Sequence, residues 1–541
     1  MNESHREAET SAAETLDAIV VGAGFAGMYM LYRLREMGLK VNVLERGSGV
    51  GGTWYWNRYP GARCDVESLE YSYQFSEALQ QEWHWSERYS TQPEILRYAN
   101  HVADRFDLRA QMRFDTTVES AHFNEKSGVW QVRTSNDELF NARFFIMATG
   151  CLSAANIPEF PGLNEFTGDV QHTGSWPPEG VDFSGKRVAV IGTGSSGIQA
   201  IPIIAQQARH LTVFQRTPNY SVPAGNQPLD PGLERDIKAN YPSFRAHNKE
   251  MASGFGYRHG RHEESALELT PQQRQQRFEE RWQLGGLLFL GSFGDLLLNP
   301  DSNECAARFV REKIRSLVKD PDVAELLCPK SYIGCKRLCA DTGYFEAFNR
   351  PNVELVDVSA DPIETFTAGG LSVAGHEYEA DCVVFATGFD AMTGALLGVD
   401  IRGRGGLSLE QKWSSGPRTY LGLATEGFPN LFMITGPGSP SVLTNMLPSI
   451  EQHVDWIADC LDHMETHHKC SVEAELSAEN EWVEQVNARA EETLLPQCNS
   501  WYVGANVPGK PRVFMPYLSF PDYVARCEEI VEQNYAGFRM T

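Results

Sequence analysis

"DAIVVGAGFAGMYMLYRLREMGLKVNVLERG", residues 17–47, decides the fold. "AIVV" reads as a short buried strand. Gly22, Gly24 and Gly27 follow as GxGxxG, with Ala26 inside the motif. "MYMLYRLREMG" is amphipathic at helical spacing and stops at Gly38, and "KVNVLE" is a second strand ending at Glu45. A dinucleotide site needs this order of strand, turn, helix, strand and acid. Gly22 makes the tight turn and Gly24 lets backbone approach a pyrophosphate. Gly27 lets helix pack on strand, and the helix N-terminus attracts phosphate.

The pattern returns at residues 187–219, "RVAVIGTGSSGIQAIPIIAQQARHLTVFQRTPN", with Gly192, Gly194 and Gly197. One difference is informative. Glu45 lies 18 residues after Gly27, but the residue 18 after Gly197 is Gln215, followed by Arg216. An acid accepts hydrogen bonds from a free ribose and repels a 2′-phosphate. A neutral residue beside arginine admits that phosphate. The first site therefore suits FAD and the second NADPH.

"FFIMATG" ends one half and "CVVFATGFD" the other. The expected fold class is α/β, with two Rossmann-like dinucleotide-binding domains, for FAD and NADPH, and a helical insertion in the NADPH domain. The expected division is a disordered tail over 1–15 and an FAD-binding part over 16–155. An NADPH-binding part follows over 156–225, then a helical insertion over 226–329. A second NADPH-binding part covers 330–384, and the FAD-binding domain resumes over 385–541 with a mobile C-terminal loop.

The chain has 541 residues and a formal net charge of −24, which disfavours a nucleic-acid partner. The N-terminus lacks the apolar core of a secretory signal, and no run of about 18 apolar residues predicts a membrane span. The eleven cysteines lack zinc spacing, and Cys335 and Cys339 suit no CxxC pair. Reduced thiols, a cytoplasmic location, no metal, and a monomer or weak homodimer are expected. His463, His467 and His468 read as an exposed helix face.

Between the glycine motifs lies "FTGDVQHTGSWP", residues 166–177. It fits FxGxxxHxxxW followed by Pro, and resembles the fingerprint of single-chain flavin-dependent Baeyer–Villiger monooxygenases. "GGTWYWNRYPGARCDVES", "CKRL", "ATGFDAMTGAL", "GPGSPS" and "SWYVGANVPGKPRVF" follow the family order, so the resemblance covers nearly the whole chain. It looks closest to the phenylacetone and steroid monooxygenase branch.

The resemblance implies that NADPH reduces FAD and that O2 forms a C4a-peroxyflavin. This species inserts one oxygen beside the carbonyl of a ketone, giving an ester or lactone. An aromatic, cyclic or steroid ketone is the expected substrate. Arg337 matches the catalytic arginine and Asp65 the carboxylate that positions it. A permanent cation suits a developing oxyanion. Thr53, Trp54, Tyr55, Trp56, Tyr71, Val118 and Met446 match flavin-contacting positions. Ser195 and Ser196 would donate to a pyrophosphate, and Arg216, Thr217 and Lys336 would hold the 2′-phosphate. Trp501, in a Gly- and Pro-rich loop, would fold over the nicotinamide. His172 and Trp176 are expected to pack between the domains. Cys151 stands where the family more often has glutamine, leucine or proline. A flavin monooxygenase acting on sulfur or nitrogen is the alternative. A dithiol reductase is disfavoured, because Cys64 has no close partner in sequence.

Overall fold

Each of the two glycine turns sits at the end of a strand in a parallel core. The computed structural model describes residues 14–541. In the first sheet, strand Glu14–Val21 lies between Val41–Leu44 and Leu139–Met147, parallel to both. Helix Phe25–Glu36 makes the crossover. Strands Val118–Asn124 and Val129–Thr134 extend this sheet as antiparallel neighbours. Late segments complete it: Leu431–Met433 pairs with Leu139–Met147, and Asp400–Arg402 pairs with Val118–Asn124. The second sheet is wholly parallel, in the order 353–357, 210–215, 187–191, 382–385, 169–172.

The expected tail is too long by two residues. Glu14 and Thr15 already pair with Phe140 and Asn141, and Glu14 meets Arg113 at 2.7 Å. Extended backbone with a ladder partner is not a frayed end. Residues 1–13 lie outside the described residues.

The two "ATG" segments now have a physical reason. Gly22 has φ +102°, and a Cβ there would lie 2.8 Å from the carbonyl oxygen of Ala148. Gly192 has φ +108° and stands 2.5 Å, in the same sense, from the Ala386 carbonyl oxygen. In each half the carbonyl of the "ATG" alanine closes on the first glycine, so that glycine tolerates no side chain.

Between the sheets' chain segments, residues 231–327 are mostly helical, with irregular stretches over 251–256, 260–265 and 293–299. Helices Pro231–Ala239, Pro271–Leu284, Pro300–Leu317 and Pro321–Leu327 begin with Pro, capped by Asp230, Thr270, Asn299 and Asp320. Each cap accepts a backbone N–H, and Pro at the first position loses nothing there. Phe278, Phe289, Phe293 and Phe309 bind the last three of these helices into one buried cluster with Trp282, whereas helix Pro231–Ala239 joins the core of the first sheet through Ile237. Burying each such ring contributes roughly 1.5–3 kcal/mol. On the first sheet, helix Phe25–Glu36 packs on helix Met446–Thr466, where Tyr29 donates to Asp455 at 2.8 Å.

Candidate active site

Both glycine turns keep an open cradle. Gly24 and Gly194 are the residues before helices Phe25–Glu36 and Ser195–Gln207, and neither helix has a side-chain cap. Their first N–H groups are thus free to meet an anion. Nothing lies within 4 Å of where a Cβ of Gly194 would point. Gly27 and Gly197 press on the carbonyl oxygens of Gly22 and Gly192, where a Cβ would stand only 1.8 and 2.4 Å away. Ala26 is buried beside Gly27. These features fit two dinucleotides.

Glu45 is 5 % exposed, and burial pushes its carboxyl up while two amides oppose the shift. Those amides belong to Ala23 and Gly47, each donating at 2.7 Å. The acid therefore braces the turn, with lone pairs left over for a ribose. Thr53–Trp56 forms one short helix against it. Tyr55 shares a 2.6 Å hydrogen bond with Ser48, and Arg46 lies over the Trp56 ring. Trp54 donates to the Tyr71 hydroxyl at 3.1 Å. Val118 is buried in the cluster that holds Val21 and Leu44, the residues before Gly22 and Glu45. Met446 opens its helix between two apolar clusters.

At the second turn, Ser195 reaches Cys339 Sγ and Ser196 reaches Thr173 Oγ1, both at 3.2 Å. Thr193 ties the turn to the Thr217 carbonyl. Arg216 and Thr217 are exposed at the end of strand His210–Gln215. Gln215 is buried and turned away, donating to the Leu326 carbonyl at 2.8 Å. Burial, then the nearby Arg216 charge, pushes the Lys336 ammonium down. Neither cation has an ion-pair partner among the described residues. Two unpaired cations facing one another make a pocket for a dianion.

Arg337 and Asp65 form a two-pronged ion pair: Nε to Oδ2 is 2.8 Å and Nη2 to Oδ1 is 2.9 Å. Nη1 donates to the Val442 carbonyl at 2.6 Å. Three of five N–H groups are so engaged. The Tyr502 hydroxyl faces the same guanidinium, and burial raises that phenol to about 12. The Arg337 charge is raised in stability by Asp65, against the penalty of burial. Asp65 is placed by the approach of its loop to helix Ser195–Gln207. Gly61 has φ +83°, and a Cβ there would lie 2.3 Å from the Gln199 carbonyl oxygen. Gln199 also accepts from Tyr59 at 2.8 Å and donates to Arg63.

Trp501 is half-buried, with its ring centroid 4.3 Å from that of Tyr502. His172 is 4 % exposed at the end of its strand. It accepts from Gly174 N at 2.9 Å and faces Thr387 at 3.4 Å. Burial pushes its imidazole down. Trp176 is buried, and its N–H donates to the Trp56 carbonyl, so the fingerprint touches the first unit directly. His463 and His467 stack at 4.1 Å, and no cluster of metal-ligating side chains occurs among the described residues.

The expectation of wholly reduced thiols is corrected. Cys335 and Cys498 form a disulfide with Cα atoms 6.0 Å apart, closing a separation of 163 residues. No local spacing reveals such a pair, because the fold alone brings the two loops together. Val442 and Tyr502 were also missed. A backbone carbonyl leaves no residue-type signal, though the Gly- and Pro-rich "GPGSPS" before Val442 marks a tight turn. Tyr502 adjoins Trp501 and was readable only by position.

The family model described as pyridine nucleotide-disulphide oxidoreductase matches residues 19–256. A Baeyer-Villiger monooxygenase of Pseudooceanicola batsensis is 45% identical, covering 99% of this chain and 98% of its own. A phenazine N-monooxygenase of Lysobacter antibioticus is 42% identical, covering 96% of each. The structure of an oxidized steroid monooxygenase bound to NADP matches with TM-score 0.92 and 53% identity, over 97% of this chain and 99% of that one. No helix is long and apolar enough to cross a membrane among the described residues. By length, identity and architecture, the chain belongs to the Baeyer–Villiger monooxygenases.

Proposed function

We propose that the chain binds FAD at the first glycine turn and NADPH at the second, and inserts one oxygen from O2 beside the carbonyl of a ketone. The observation that carries this is Arg337, half-buried and fixed by Asp65, a full cation held in one plane. When bound, the flavin supplies hydride acceptance and oxygen activation, chemistry that no side chain here provides. The protein's part is binding, orientation and charge stabilisation. Gly22, Gly24, Gly27 and Glu45 hold the FAD pyrophosphate and ribose. Thr53, Trp54, Tyr55, Trp56, Tyr71, Val118 and Met446 shape its surroundings. Gly192, Gly194, Ser195, Ser196 and Gly197 receive the NADPH pyrophosphate, and Arg216, Thr217 and Lys336 its 2′-phosphate.

Arg337 stabilises the oxyanion that forms when the ketone carbonyl is attacked. Asp65 keeps the guanidinium plane still, and Val442 and Tyr502 fix its far side. Trp501 covers the nicotinamide and excludes water. The substrate is an aromatic, cyclic or steroid ketone, a reading supported by the likeness to the steroid enzyme. The location is cytoplasmic. Product analysis with a panel of such ketones, NADPH and O2 is the test. NADPH oxidation with no ester or lactone from any of them refutes the reading.

A second reading is supported by the phenazine N-monooxygenase at 42% identity. In that case an aromatic ring nitrogen receives the oxygen. Offering a ketone and phenazine together separates the two, since the product mixture names the preferred acceptor.

A further inference from the structure

Cys335 precedes Lys336 and Arg337 directly, and Cys498 stands three residues before Trp501. Their disulfide is the one covalent cross-link among the described residues, whereas the other nine cysteines are free. It fastens the arginine turn to the loop that carries Trp501 and Tyr502. The loop is knotted locally around Cys498. Ser500 N donates to the Cys498 carbonyl at 2.8 Å, Gly504 N to the Trp501 carbonyl, and Ala505 N to the Ser500 carbonyl. A displacement of Cys498 therefore carries Trp501 with it. Elsewhere the loop is held by the apolar cluster that buries Tyr502 and Val503 with Val442 and Met515, and by polar contacts near its far end. Asn506 donates to the Phe389 carbonyl at 2.6 Å, Asn156 donates to the Asn506 carbonyl at 3.2 Å, and Lys510 pairs with Asp390. Cys335 is fully buried, while Cys498 keeps 8 % of its surface. Cys498 is thus the less buried of the two.

We propose that Cys335 and Cys498 are a reversible thiol–disulfide pair that sets how firmly the Trp501 loop closes on the Lys336–Arg337 turn. This rests on the reading of that loop as a lid. The oxidant is hydrogen peroxide, the product whenever NADPH is consumed without oxygen reaching a ketone. The Cys498 thiolate attacks peroxide, the O–O bond breaks, and a sulfenic acid and hydroxide result. The Cys335 thiol then displaces the sulfenic oxygen, the S–S bond forms, and a second water leaves. Two thiols and one peroxide give one disulfide and two waters. A dithiol returns two electrons and two protons and ends as its own disulfide. Wasted turnover thereby fastens the lid, and a fastened lid lowers wasted turnover. The compartment need not be oxidising, because the enzyme makes its own oxidant.

The test uses the FAD-loaded enzyme, treated with hydrogen peroxide or with dithiothreitol and then freed of reagent. Three quantities are read: the Cys335–Cys498 linked peptide under non-reducing conditions, NADP+ affinity by flavin absorbance, and peroxide released per NADPH. Peroxide treatment is expected to give the linked peptide and dithiothreitol to remove it. The reduced enzyme should bind NADP+ severalfold more weakly and release severalfold more peroxide. Cys498→Ser should match the reduced enzyme and respond to neither reagent. The proposal is overturned if peroxide yields no linked peptide. It is also overturned if oxidised and reduced wild type share one NADP+ affinity and one peroxide yield. Trp501→Ala separates the layers. If it raises peroxide release while redox treatment does not, the switch alone falls. If it changes neither affinity nor peroxide yield, the lid reading falls with it.

Discussion

Arg337 and Asp65 are 272 residues apart in sequence and meet through two parallel hydrogen bonds of 2.8 and 2.9 Å. The pair joins the turn after the helical segment to the loop after the short helix Thr53–Trp56. Such a fork fixes the guanidinium plane as well as its position.

Arg337→Ala should abolish most ester formation. Loss of a single oxyanion donor costs about 2.7–4 kcal/mol, or roughly a hundred- to a thousandfold in rate. Losing a full cation should cost at least as much. Flavin content should be unchanged. Asp65→Ala should cost less, because Val442 still holds one edge of Arg337. Ester yield from chemically reduced enzyme and O2 is the measurement, and near-normal yield in Arg337→Ala refutes the role.

Arg216→Ala should raise the KM for NADPH by about ten- to a hundredfold, the worth of a charge-assisted hydrogen bond of roughly 1.5–3 kcal/mol. NADH kinetics should barely change, since NADH lacks the 2′-phosphate. Lys336→Ala should act in the same direction. Equal losses with both coenzymes would remove these cations from the phosphate pocket.

Tyr502→Phe removes only an oxygen that faces Arg337. A hydrogen bond to a charged group contributes about 1.5–3 kcal/mol, so kcat should fall by roughly ten- to a hundredfold. KM for NADPH should hold. A change in KM alone would make Tyr502 a loop-packing residue.

Glu451 predicts the pH dependence of stability. It is 5 % exposed, one oxygen accepts from Gln74 N and Phe75 N, and the other has no partner. Burial pushes its carboxyl up from 4.5 to about 7, against the amides and nearby cations. A raised folded value means that the folded state holds the proton longer. Its contribution is present in full below pH about 4.5 and is lost as pH rises to about 7, at about 1.4 kcal/mol per unit. Glu451→Gln should flatten this part of the profile. The check is Tm at pH 5.5 and 7.0 (about one and a half units) for both proteins. Parallel slopes would contradict the assignment.

The glycine turns and their helices were legible because a tight turn leaves few residue types to choose from. Gly22 and Gly192 face alanine carbonyls, and both alanines stand in the "ATG" segments read from the chain. Arg337 and Asp65 were legible only through resemblance, since neither segment alone implies a partner 272 residues away. Val442 acts through its carbonyl, which every residue has. The Cys335–Cys498 bond depends on two loops from different parts of the fold meeting, and spacing carries no trace of that. Gln215 stands where the first site has its acid, and its side chain donates to the Leu326 carbonyl, an orientation that the sequence does not show.

The late strands of the first sheet set an order of assembly during synthesis. The second sheet is complete once Phe385 has emerged, whereas the first still waits for Asp400–Arg402, Leu431–Met433 and the helix ending at Thr466. Domains fold as units while the chain leaves the ribosome. The coenzyme half is therefore expected to be native while the flavin half is still an open edge, and flavin capture becomes a late step. A nascent chain stalled near residue 420, before strand Leu431–Met433 and helix Met446–Thr466, should resist protease across residues 187–385 and yield no flavin-bound product. Protection of residues 14–147 at that length would reverse the order.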